Sequence, residues 1–201
     1  MASGKIGNPI ISLGTSPPME KITLFKDTVG YDSHLGQAAM VAARDVLAIK
    51  KGERALIVTN PDAEVFQVSQ AVFDAIYELG GIPTMAVQTI KTQIDEANPE
   101  VLGSFLAKPH AGISISAEKL GKDPDMMKTP FKAADGREYT HAFDKLLHGT
   151  KTMKAFWSPN ITVDMFKRTV PINYEQLRSR CTRLKNIIDE AVKVRVTSPG
   201  G

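Results

Sequence analysis

The chain has 201 residues, 42% of them hydrophobic, 23% charged and 6% aromatic, with 25 basic and 22 acidic side chains for a net charge of +3. That apolar share suits one large globular domain or two small ones, and the charge is too small to argue for nucleic acid. The single cysteine excludes an internal disulfide and a multi-cysteine metal site, and the longest purely apolar run, residues 38–43, falls far short of the ~20 residues of a spanning helix.

The expectation is therefore a cytoplasmic protein with no membrane contact. The first residues also lack the apolar core of a secretory signal. The charge is uneven. Residues 1–100 carry 8 basic and 12 acidic groups, net −4, and residues 101–201 carry 17 and 10, net +7. The second half thus favours anionic partners or an acidic neighbouring domain.

Residues 1–33 read as an irregular arm, rich in Gly and Pro, with a short extended piece at Ile10 and Ile11. Leu35, Ala38, Ala39, Ala42, Val46 and Ile49 recur at helical spacing, which predicts a helix over 34–50 stopped by Gly52. Residues 55–59 (ALIVT) read as a buried strand. Asn60, Pro61 and Asp62 then supply a helix start, with Asn60 as cap and acid in the first turn. Val65, Val68, Val72, Ile76 and Leu79 form the stripe of that helix, ended by Gly80 and Gly81. Strands are expected at 84–87, 111–116 and 154–157, and a short helix at 100–108. Residues 117–138, with five basic and five acidic groups, read as a charged insertion or lid. Residues 139–149 read as helix, and Thr162 caps a short helix that stops before Pro171. The last helix, 174–193, places Tyr174, Leu177, Cys181, Leu184, Ile188 and Ala191 on one stripe, behind a capping box of Asn173 and Gln176. A strand is expected at 194–197. Strand and helix alternate, so the expected fold is a three-layer, Rossmann-like α/β domain over 34–193 around a four-stranded, mostly parallel sheet.

Motifs that carry chemistry are sparse. His141 and His148 lie seven apart on the expected helix, ~10 Å along its axis, too far for one ion. The stretch at Asp123, Pro124 and Asp125 lacks the remaining ligands of a calcium loop. The serines of residues 112–116 (GISIS) alternate along a strand instead of occupying a nucleophile elbow. Cys181, on the apolar stripe, reads as a buried inert thiol. No phosphate loop occurs, and Asp62 would repel an anion from the helix start at Asn60. The basic cluster of Arg178, Arg180, Arg183 and Lys185 reads as the wet face of a helix, without the interleaved aromatics of a nucleic-acid surface. Doubly wound sheets hold ligands beyond the carboxyl ends of their strands. The chamber candidates there are Asn60, Asp62, Ser116, Glu118, Lys119, Ser158 and Asn160.

Three stretches resemble the N-terminal half of the thermophilic metallo-aminopeptidases of the leucyl aminopeptidase T type. They are residues 46–62 (VLAIKKGERALIVTNPD), residues 75–83 (AIYELGGIP), and the run from 158–168 (SPNITVDMFKR) through 173–177 (NYEQL) to 194–201 (VRVTSPGG). Asn160 departs from the Gly of the Pro-Gly-Ile-Thr pattern, and a left-handed backbone there would tolerate it. The resemblance implies a homodimeric enzyme that removes N-terminal residues from peptides with divalent zinc, cobalt or magnesium. In that family the segment like 194–201 leads into a second domain that carries the metal ligands, and no position here matches them. The chain thus reads as a non-ligating N-terminal domain, inactive alone, that helps wall the substrate chamber. Two alternatives stand: a fragment of the related ring-opening dihydroxypyridine dioxygenase type, or a non-catalytic α/β binding or assembly module.

Overall fold

The computed structural model describes residues 23–198. The expected extended piece at Ile10 and Ile11, most of the N-terminal arm and the last three residues lie outside them. Four parallel strands form the main sheet: β1 (Arg54–Thr59), β2 (Ile82–Val87), β3 (Ala111–Ile115) and β6 (Lys154–Trp157), in the order β2-β1-β3-β6. Parallel neighbours need crossovers, and the crossovers supply the two outer layers. The α/β class expected from the alternation is the observed one.

One face of the sheet packs against α2 (Ser33–Val41), α3 (Ala63–Glu78) and α7 (Val163–Thr169), with Leu35, Ile57, Val68, Val72, Ile76, Ile113, Ile115 and Phe166 buried together. The opposite face packs against α4 (Pro99–Leu106) and α6 (Ala142–Asp144), around Leu56, Val58, Phe105, Phe143, Leu146 and Met153. Each strand sends alternate residues to each layer. In β3 this sends Ile113 and Ile115 to the first layer, so Gly112 and Ser114 face the second. At Gly112 an added Cβ would lie 2.5 Å from Met153 Sδ, so a larger residue there requires the Met153 side chain to move. A short helix, α1 (Phe25–Thr28), is held by the buried Asp74 of α3. Its carboxylate accepts from the N–H groups of Phe25 (3.0 Å) and Lys26 (2.9 Å) and from the Tyr31 hydroxyl (2.8 Å).

Several expectations are corrected. The helix expected over 34–50 is α-helical only to Val41. It closes in a π-helical turn, Ala42–Val46, and ends before Ala48, whose φ is +48°. The cap of α3 is Asp62, not Asn60: its carboxylate accepts from Glu64 N–H at 3.0 Å and Val65 N–H at 3.2 Å. Residues 117–138 are not one loop. They contain α5 (Pro124–Lys128) and the first strand of a hairpin, β4 (Phe131–Lys132), whose second strand, β5 (Glu138–Tyr139), starts at their last residue. The helix expected over 139–149 is α6 followed by a second π-helical turn, Lys145–Gly149. No strand forms at 194–197.

The last helix, α8 (Tyr174–Asp189), starts where expected, with Asn173 Oδ1 accepting from Gln176 N–H at 2.9 Å. None of its residues is buried, and Cys181 is exposed. The apolar stripe exists, but no described element covers it.

Candidate functional site

The switch point of a doubly wound sheet lies where successive connections leave in opposite directions, here between β1 and β3. Asn60, fully buried at the end of β1, closes that crevice. Its Nδ2 donates to the carbonyls of Gln88 (2.9 Å) and Thr89 (3.0 Å) beyond β2, and its Oδ1 accepts from Ala117 N–H (2.8 Å) beyond β3. Gln88 continues the stitch, donating to the Leu120 carbonyl (2.8 Å) and accepting from Asn98 N–H (3.0 Å). The two amides spend their bonding capacity on backbone, so the crevice itself is occupied by protein.

The stitch positions a wall. The loop after β2 and the loop after β3 are laced together: Lys119 N–H donates to the Lys91 carbonyl (2.9 Å) and Lys122 N–H to the Asp95 carbonyl (2.8 Å), while Ala97 N–H donates to the Lys122 carbonyl (2.9 Å). Gly121 makes the close approach possible. Its φ is +95°, and a Cβ would lie 2.5 Å from Ala97 N.

Between this wall, the ends of β3 and β6 and the start of α6 lies a cavity of about 230 Å³. Thr92, Gln93, Ser114, Lys119, Lys122, His141, Asp144 and Trp157 supply its polar and aromatic lining, with Leu120 and Phe143 as apolar walls. Lys119 Nζ sits 5.5 Å from the Trp157 ring centroid. A larger groove of about 530 Å³ runs between α4, α5 and α6, but it lies away from the strand ends.

Two buried polar atoms belong to residues of the smaller cavity: Ser114 Oγ, which has no protein partner, and His141 Nε2, which has the Gly121 carbonyl near it but outside good hydrogen-bond geometry. A polar atom of this kind is satisfied by water or by a polar group of a ligand that takes the water's place. The tautomer of His141 follows from its other nitrogen. Nδ1 accepts from Phe143 N–H at 3.0 Å and caps α6, so Nε2 carries the hydrogen of the neutral ring. Burial lowers the His141 pKa below its ordinary value of 6.5, against the opposing pull of Asp123, Asp144 and the Gly121 carbonyl. The site therefore offers a hydroxyl and an imidazole N–H at depth, with Lys119 and Lys122 in its lining.

Of the chamber candidates, Lys119 lines this cavity. Ser116, Ser158 and Asn160 are brought together beside it by β3–β6 bonding: Ser158 N–H donates to the Ser114 carbonyl (2.9 Å) and Asn160 N–H to the Ser116 carbonyl (2.8 Å). Ser116 Oγ is buried without a protein partner, on the same face of β3 as Ser114. Glu118 is exposed and outside the lining. Asn60 and Asp62 are committed to the stitch and the helix cap. The reading of the sequence missed the roles of Ser114 and His141. Two serines alternating at a strand's carboxyl end was the available signal, because a polar residue inside a buried strand needs a reason.

The residues do not fit a resident metal pair. Among the described residues no group of three His, Cys, Asp or Glu side chains is placed to hold an ion. His141 spends Nδ1 on its cap, and nearby Asp123 accepts from Met126 N–H and Ala142 N–H, both at 3.0 Å. Nor is any helix among the described residues long and apolar enough to cross a membrane.

No family model and no curated protein matches the chain. Among solved structures, a 2,5-dihydroxypyridine dioxygenase from Pseudomonas putida KT2440 is distantly similar, with a TM-score of 0.47 at 10% identity. That match covers 78% of this chain and 42% of the dioxygenase, so the chain spans less than half of that protein's length. VinN matches with a TM-score of 0.31 at 15% identity, over 82% of this chain and 29% of its own. A fatty acid AMP ligase from Legionella pneumophila gives 0.31 at 14%, over 70% and 20%.

Proposed function

We propose that this chain is the substrate-side domain of a two-part enzyme of the metallo-aminopeptidase type, and that the groups holding its divalent metals belong to a part outside the described residues. The carrying observation is α8. Its stripe leaves Leu177, Leu184 and Ile188 between 43% and 57% exposed, in the helix that leads into the segment resembling the family's domain junction. An amphipathic helix gains most of its stability by burying its apolar face, so a second body is the natural cover. The cavity and the turn at Ser158 and Asn160 then sit at the sheet edge that would face peptide substrate.

In this reading the chain's own residues bind and orient, and the hydrolytic step takes place on the other part. The test is binding between the chain and a separately expressed metal-carrying domain of that family. The chain should associate with it and restore leucine release from a leucyl amide, and the pair Leu177→Glu and Leu184→Glu should abolish both. Restoration unaffected by those substitutions would overturn the role of α8.

A further inference from the structure

The cavity beyond β3 and β6 has a chemistry of its own, which holds whether or not the chain belongs to a peptidase. Lys119 and Lys122 line it from the laced wall, the Lys122 charge being close enough to Asp95 to help lower that carboxyl's pKa; Ser114 Oγ lies at depth without a protein partner, and His141 Nε2–H is buried near the Gly121 carbonyl. Leu120, Phe143 and Trp157 supply an apolar wall with two aromatic rings. The one acid in the lining is Asp144, which is exposed. The volume, about 230 Å³, is below the roughly 300–1,000 Å³ of clefts that take drug-sized ligands.

We propose that this cavity binds a small organic monocarboxylate with a flat apolar body. The carboxylate accepts from Ser114 and His141 and is neutralised by Lys119 and Lys122, while the body lies among Leu120, Phe143 and Trp157. Charged acceptors form stronger bonds with such donors than neutral ones do. A phosphate group fits less well. It carries more charge and more acceptor oxygens, and here the lining holds only two lysines, together with the acid Asp144. A neutral ligand would forgo the attraction of the two ammonium groups.

Trp157 is the only tryptophan in the sequence, so intrinsic fluorescence reports on the cavity, with calorimetry as an independent readout. The probes are phenylacetate, its neutral isostere phenylacetamide, and inorganic phosphate, each titrated into the 201-residue chain. Phenylacetate should bind saturably and shift the Trp157 emission. Phenylacetamide should bind at least about tenfold more weakly, a difference of roughly 1.4 kcal/mol. Lys119→Met, at an exposed position, should weaken phenylacetate by about tenfold without lowering the melting temperature, and Ser114→Ala should weaken it further. Asp144→Asn should tighten it, because a repelling charge is removed. Failure of phenylacetate to saturate overturns the proposal, as does equal affinity for the amide or for phosphate. So does an unchanged affinity in Lys119→Met, which decides the matter even if Ser114→Ala does not fold.

Discussion

Asn160 is where a single backbone angle connects the sequence to the fold. Its φ is +53°, the left-handed region that Asn tolerates better than other non-glycine residues. The sequence made this conditional, since Gly is usual at that position of the resembled pattern, and the structure supplies the conformation. Asn160→Gly should leave stability nearly unchanged, whereas Asn160→Val should cost about 1–2 kcal/mol in urea unfolding, because a β-branched side chain is strained there. His141 carries a pH dependence of fixed sign. Burial holds its folded pKa below 6.5, so as pH falls the unfolded chain takes up the proton first. Its contribution is complete above 6.5 and is lost as pH drops through that value towards the folded pKa. His141→Asn keeps an acceptor for the Phe143 N–H and removes the titration. Between about pH 7.5 and about pH 5, the urea midpoint of the wild type should therefore fall further than that of the variant. No spacing argument could have found this role, because it depends on burial.

Among the elements, strands were the most legible. Short β-branched runs such as residues 55–59 suit a strand buried on both faces, as in the middle of a parallel sheet, and β1 is there. The strand at Ile82 begins earlier than its apolar run suggested, running through Pro83, which an edge strand accepts. The hairpin was signalled but overlooked. Asp135 and Gly136 mark its turn, Gly136 has a φ of +83°, and Phe131 pairs with Tyr139. The charges around it masked the signal, because most of them are solvent-facing. The π-helical turns leave no periodic trace, since each inserts one residue into an otherwise helical pattern. Asn60 shows how a cap signature can mislead. Asn, Pro and Asp together read as a helix start, yet the Asn side chain joins the ends of three strands. Asn60→Asp would remove the donor to two carbonyls and set a buried carboxylate beside them. We expect a loss of about 3 kcal/mol in chemical denaturation.

At the scale of the whole molecule, the body and α8 behave differently. The body buries its apolar residues in two layers, while α8 carries its stripe in solvent. The seam was readable, because 3- and 4-residue steps are a property of the chain alone. Its partner was not readable, because periodicity says which side is apolar and not what lies against it; Cys181, expected buried, is exposed for this reason. Leu177→Glu and Leu184→Glu should therefore each change the melting free energy of the isolated chain by less than about 0.5 kcal/mol. Ile57→Ala in β1 should cost about 2–5 kcal/mol.

The most direct measurement is leucine release from a leucyl amide by the purified 201-residue chain, with zinc, cobalt or magnesium added. On the proposal that the reactive groups are housed elsewhere, no release above the metal-only background is expected. Saturable, metal-dependent turnover by these residues alone would contradict the account.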